Sequence, residues 1–110
     1  PYSIEFIARG PTMIPTRYGE IARFLGLPAE TEEQGAASLA AAIRDLMRQV
    51  EQPLTLQELG VGREELEANM ETLATNAELD VYTITSLRMP THNEIIRLYR
   101  CAYEGQSVDF

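Results

Sequence analysis

Apolar residues in the middle of the chain fall at Leu39, Ile43, Leu46, Met47 and Val50, spacings that gather all five on one face of a helix. The pattern predicts a core-facing helix. At its start, Thr31, Glu32, Glu33 and Gln34 form a capping box, in which the Thr hydroxyl and the Gln side chain take up otherwise unpaired backbone N–H groups. Pro53 cannot continue the ladder, so this helix is expected to end near Glu51. The same spacing returns at Leu66, Met70, Leu73, Ala74 and Ala77, predicting a helix over Arg63–Glu78. Glu64, Glu65, Glu67, Glu71 and Glu78 fill much of its remaining circumference, and the first two suit the positive end of the helix dipole. A further helix is expected from Thr91, an N-cap after Pro90, through Ile95, Leu98, Tyr99 and Ala102 to Gly105. An earlier one spans Thr16–Leu25, with Tyr18, Ile21, Ala22 and Leu25 on one face and Gly26 as its stop.

Shorter pieces lie between. Ser3–Ala8 reads as helical, and Thr55–Leu59 as a single turn closed by Gly60. Leu79–Thr85 (LDVYTIT) has the β-branched and aromatic content of a strand, but no second strand is available to pair with it. It is expected as an extended segment laid over the helices. Gln106–Phe110 is expected to fray. There is no internal repeat or low-complexity tract, and the Ala-rich patch Ala36–Ala42 belongs inside a helix. The prediction is an all-α domain over residues 1–110, a bundle of about four to five helices with one extended segment.

Composition narrows the chemistry. The chain has 110 residues and a formal net charge of −8, which repels phosphate backbones, and its nine basic residues are scattered. Nucleic-acid binding is not expected. All nine are Arg, so no Schiff-base or P-loop lysine is available. The single cysteine, Cys101, cannot close an intramolecular disulfide. No apolar run approaches the ~18 residues needed to cross a bilayer, and no leader-like segment opens the chain. A soluble, cytoplasmic protein is expected, without a membrane partner. Because the chain opens at Pro1 without Met, it is expected either to have been processed or to be a cut piece of something longer.

RYGEIARFLGLP, Arg17–Pro28, resembles a phrase of the iron-containing (group III) alcohol dehydrogenases, where an RYxEIAxxLG-like helix opens the last part of the helical domain. PLTLQELGVGREELEANME, Pro53–Glu71, is similar to that family's I-P-x-x-L-x-E-x-G-V turn and the acidic helix after it. LRMPTHNEIIRLYRCAY, Leu87–Tyr103, resembles its closing N-P-R-x-x-T-x-E-D-I-x-x-L-Y-x-x-A-Y helix, and PYSIEF resembles its L-P-H-x-x-x-F/Y segment. The phrases stand in the family's order, and the resemblance they carry spans nearly the whole chain.

The resemblance implies a two-domain oxidoreductase with an N-terminal dinucleotide-binding half and a C-terminal helical half. A divalent metal, iron or in some members zinc, would polarise the alcohol or carbonyl oxygen while hydride moves to or from NAD(P). The family's Asp and His metal ligands are implied to lie upstream of Pro1, so no catalytic, cofactor-binding or metal-ligating residue is expected within this chain, and the isolated chain is expected to be inactive. His92 matches a variable position and reads as a surface histidine. The glycines sit singly and form no phosphate-binding fingerprint.

The resemblance also supplies three substrate-pocket candidates. Many members carry a Cys before a T-x-x-N-P-R turn, and alignment on Arg88 places Tyr82 there, followed by Thr83, with Ser86 and Leu87 for Asn and Pro. Tyr82 offers a phenol, against which stands plain packing on the helices. Arg88 itself is expected to cap carbonyls or pair with an acid. The Glu64–Glu78 cluster reads as a solvated helix face, and Cys101 as a small packed side chain.

Two functional readings follow. In the first, the chain is the C-terminal helical portion of an NAD(P)- and metal-dependent alcohol dehydrogenase, partnered by an N-terminal dinucleotide-binding domain of the same polypeptide and assembled as a homo-oligomer. In the alternative, it is a free-standing acidic helical interaction module. A domain separated from its neighbour should show an apolar patch, expected around Tyr2, Ile4, Phe6, Ile7, Met13 and Ile14, and the PTMIP loop (Pro11–Pro15) is apolar for a connection.

Overall fold

Capping and periodicity shape the elements of the computed structural model, which describes residues 1–110: α1 (Tyr2–Ala8), α2 (Tyr18–Phe24), α3 (Glu32–Gln49), α4 (Arg63–Leu79), α5 (Val81–Ile84) and α6 (His92–Glu104). The all-α expectation holds, with six helices and no strand. At the head of α3, the Gln34 N–H donates to Thr31 Oγ1 (3.1 Å), and Gln34 Oε1 accepts from the Glu30 N–H (2.6 Å). At the head of α6, Thr91 and Glu94 form a full capping box, and Gly105 ends the helix in the left-handed conformation (φ 74°).

α2 has no side-chain cap of its own. Instead the Glu32 carboxylate, in the first turn of α3, accepts from the Gly19 N–H (3.0 Å) and the Thr16 hydroxyl (3.3 Å). The two helices approach to backbone contact: a Cβ on Gly35 would lie 2.5 Å from Gly19 Cα. Such a distance admits only small side chains, so Gly19 and Ala22 face Gly35 and Ala36. This corrects the expected inward face of α2, because Ile21 and Leu25 are displaced outward and Phe24 stands 89% exposed. On α3, Leu39 is buried and Ile43 and Met47 half-buried, but Leu46 and Val50 are exposed, since only α1 and α2 pack on this helix.

The other half is built as its spacing predicts. Leu66 and Met70 of α4 and Tyr103 of α6 form a core, joined by Leu56, Val61, Leu73, Ile96 and Tyr99. The Thr55–Leu59 turn is stapled to α6 by the Leu56 N–H, which donates to the Ala102 carbonyl (3.0 Å). The stretch Leu79–Thr85 is not extended. Leu79 finishes α4, Asp80 accepts from the Tyr82 N–H through its side chain (2.8 Å), and Val81–Ile84 form one helical turn. A lone strand would leave its N–H groups unpaired, whereas the Asp80 carbonyl takes those of Thr83 and Ile84 (3.0 and 3.1 Å).

The tail is not frayed either. Val108 is fully buried and its N–H donates to Glu5 (3.1 Å), while the Phe110 ring meets Phe6 edge-on and lies beneath the Arg97 guanidinium. The tail therefore reinforces the joint between the halves. Among the helices, α1 alone touches both α3 and α6, and α3 touches neither α4 nor α6. Glu5 of α1 receives Nη1 and Nη2 of Arg44 (2.6 and 2.9 Å) from α3 as well as the tail amide. Burial opposes the charge on Glu5, but these donors outweigh it and hold the carboxyl below its ordinary range.

Candidate functional site

Between α1, α5 and α6 lies an open cavity of about 530 Å³. α1 contributes Tyr2, Ser3, Phe6 and Ile7, because a helix touching α6 through its apolar side must turn those positions toward it. α6 contributes Ile95, Leu98, Tyr99 and Ala102, the inward face its periodicity marks. Tyr82, Thr83 and Ser86 come from α5 and the turn after it. The three residues singled out by their alignment on Arg88 thus share one cavity. Tyr82 is 84% exposed and stands at the mouth, so its ring is not packed on the helices. Thr83 and Ser86 are half-buried.

Arg88 is the sole charged residue of the lining, and its charge is already engaged. Nη1 donates to the carbonyls of Phe6 (2.6 Å) and Phe110 (3.0 Å), and Nη2 donates to Glu94 (2.6 Å). Its guanidinium carbon lies 3.7 Å from the centre of the Phe6 ring. The structural role expected for Arg88 is therefore observed, at both kinds of partner. Glu94, which also accepts from the Thr91 N–H, is held below the ordinary carboxylate range by that bond, by the Thr91 hydroxyl and by Arg88. What remains to meet a ligand is apolar surface with a few hydroxyls, suited to a neutral molecule with a hydrocarbon body and an oxygen.

His92 lies outside the cavity, at the start of α6. Nδ1 meets Glu78 (2.9 Å) and Nε2 meets Glu71 (3.0 Å), both from α4. Only the imidazolium has two N–H donors, and the bonds to Glu78 and then Glu71 raise its pKa. The two carboxylates lie on opposite sides of the ring and do not converge on a point. No group of three or more His, Cys, Asp or Glu side chains is placed to hold a metal ion, so the residues of this chain do not fit a resident metal. Part of the acidic face of α4 is thus drawn into pairs with α6, including Glu67 with Arg100 (2.8 Å), while Glu64 and Glu65 stay exposed. Burial pushes the Cys101 thiol up, which leaves it a packed side chain.

The wall supplied by α1 was invisible to spacing arguments, since Phe6 and Arg88 are 82 positions apart. The expected apolar patch is also redrawn: Phe6 is buried under Arg88, whereas Met13 and Ile14 are exposed as anticipated. Val81, Tyr82, Ile84 and Met89 are exposed as well. The Met13 N–H donates to the Leu87 carbonyl (3.2 Å), which sets the PTMIP loop beside the turn carrying Ser86.

The chain is 28% identical over 110 residues to an NADPH-dependent butanol dehydrogenase of Clostridium saccharobutylicum, covering 100% of this chain and 28% of that protein. It is 30% identical over 116 residues to an aldehyde-alcohol dehydrogenase of Streptococcus pneumoniae, covering 96% of this chain and 13% of that protein. The chain therefore spans well under a third of these relatives. Residues 1–103 match the model of the C-terminal part of the Fe-containing alcohol dehydrogenase family, and the chain belongs to that family.

Proposed function

We propose that these residues are the C-terminal helical portion of an NAD(P)- and metal-dependent alcohol or aldehyde oxidoreductase, and that the cavity forms one wall of its substrate pocket. The observation carrying this reading is that Tyr82, Thr83 and Ser86 converge on a cavity whose only charge is already neutralised. In it, α1 and α6 receive the hydrocarbon part of the substrate and the hydroxyls of α5 meet its oxygen. The metal and dinucleotide are held by other residues of the polypeptide, and the 110 residues alone show no turnover. The exposed surface beside the cavity mouth, with Met13, Ile14 and Met89, is where that remainder packs or where copies associate in a homo-oligomer. The cytoplasm is the proposed location. A self-contained acidic module is disfavoured by the same surface, which such a module would have reason to hide.

The test is the natural polypeptide, its intact mass set beside its reading frame, and its alcohol-dependent reduction of NAD(P)⁺. A longer frame and turnover of primary alcohols are expected. Ser86→Ala and Thr83→Val should each raise KM for the alcohol by roughly fivefold, the worth of one hydrogen bond. A frame that encodes only this helical domain, or turnover indifferent to both substitutions, would overturn the reading.

A further inference from the structure

One lining side chain ties three separate parts of the fold together. The Arg88 guanidinium binds the last turn of α1 through the Phe6 carbonyl, the segment after α6 through the Phe110 carbonyl, and the first turn of α6 through Glu94. It is sandwiched between the Phe6 ring and the backbone of Gly10, where a Cβ would come within 2.6 Å of Arg88 Nε. Gly10 leaves the slot that the guanidinium fills. The tail meets Arg88 through Phe110 and is pinned a second time by Val108 on Glu5. Ser86 lies two residues before Arg88 and Thr83 five, on the segment this anchor holds against α1.

We propose that Arg88 is a positioning residue, through which the C-terminal tail sets the placement of Ser86 and Thr83 in the cavity. The chemical consequence rests on the substrate-pocket reading above, and the mechanical one does not. A planar guanidinium bonded to two carbonyls and a carboxylate while stacked on a ring fixes its own backbone in three directions. Lys has neither the fork nor the flat face. Removing the tail takes away one of these ties and the Phe110 ring, so the Ser86 segment loosens although Arg88 is still present.

The experiment uses the full-length protein with four changes: Arg88→Met, Arg88→Lys, Gly10→Ala, and deletion of Val108–Phe110. Gly10→Ala keeps the guanidinium and its charge but crowds it from the Gly10 side, so it serves where Arg88→Met fails to fold. Amide exchange of Thr85, Ser86 and the tail is measured together with KM and kcat for a series of primary alcohols. In Arg88→Met and in the deletion, exchange at Thr85 and Ser86 should quicken about tenfold while α2 and α3 keep their protection. KM should rise about tenfold with kcat within about twofold, as expected when ground-state and transition-state binding weaken alike. Gly10→Ala should move both readouts in the same direction, Arg88→Lys should restore them only in part, and adding the deletion to Arg88→Met should make neither readout worse than Arg88→Met alone does. Unchanged exchange at Thr85 and Ser86, additive effects, or full rescue by Lys would overturn the proposal. If the wild-type protein oxidises no alcohol, the substrate reading fails, and exchange at Thr85 and Ser86 on tail deletion alone decides whether Arg88 couples the two.

Discussion

A neutral imidazole carries one N–H, yet His92 meets a carboxylate at each ring nitrogen, so the arrangement holds together only when the ring is charged. Its pKa is therefore raised above the ordinary 6.5, by Glu78 first and Glu71 second. The sign of the linkage follows. The pair stabilises the fold fully below the unfolded value, and that contribution is lost as pH rises through the higher folded value. With a single histidine in the chain, an NMR titration of its ring protons reads the midpoint directly. The expected midpoint lies above 6.5, and Glu78→Gln should bring it down more than Glu71→Gln does. A midpoint at or below 6.5 in the unmodified chain would refute the doubly bonded ring. The same residue shows where sequence reading reached its limit: a solvated surface histidine was expected at His92, whereas the ring is half-buried between partners that lie 14 and 21 positions away on another helix.

At the scale of elements, the long helices were legible because each carries both a periodic face and a terminal signal. α3 has its Thr31 cap, α4 its acidic first turn, and α6 its Thr91–Glu94 box and Gly105 stop. α5 was missed because β-propensity dominates Val81–Ile84, although Asp80 stood in the N-cap position as a signal for a turn. The orientation of α2 was missed for another reason: periodicity identified its apolar residues, but contact distance decided which of them face inward. Gly35 tests that account. A methyl group there would meet the Gly19 backbone, which cannot swing aside as a side chain does, so α2 must be pushed away from α3. Gly35→Ala should destabilise the protein by about 1–3 kcal/mol in urea denaturation, despite the higher helix propensity of Ala. A neutral or stabilising result would mean that the two helices do not pack at backbone contact.

For the whole molecule, the distribution of apolar side chains carries the argument. Thirteen large hydrophobic residues are exposed, whereas the buried core, once its five alanines are set aside, has seven members. The radius of gyration is 14.6 Å, against about 13 Å for a compact domain of this length, and the shortest dimension is 22 Å. Two helical halves joined through α1 and the tail leave much of their apolar surface to be covered by something else, which is why a family relationship to longer dehydrogenases suits this shape. The methionines report on it from within. Met13 is 89% exposed and Met89 63%, beside the cavity mouth, while Met70 is 3% exposed in the α4–α6 core. Under mild peroxide, with mass spectrometry of the peptides, Met13 and Met89 of the 110-residue chain should form sulfoxide about tenfold faster than Met70, because access governs the rate. In the natural polypeptide, both should slow toward Met70 if the surface is an internal interface. Should Met13 and Met89 react there as fast as in the 110-residue chain, the surface is open, and the proposal that the rest of a dehydrogenase packs on this face fails.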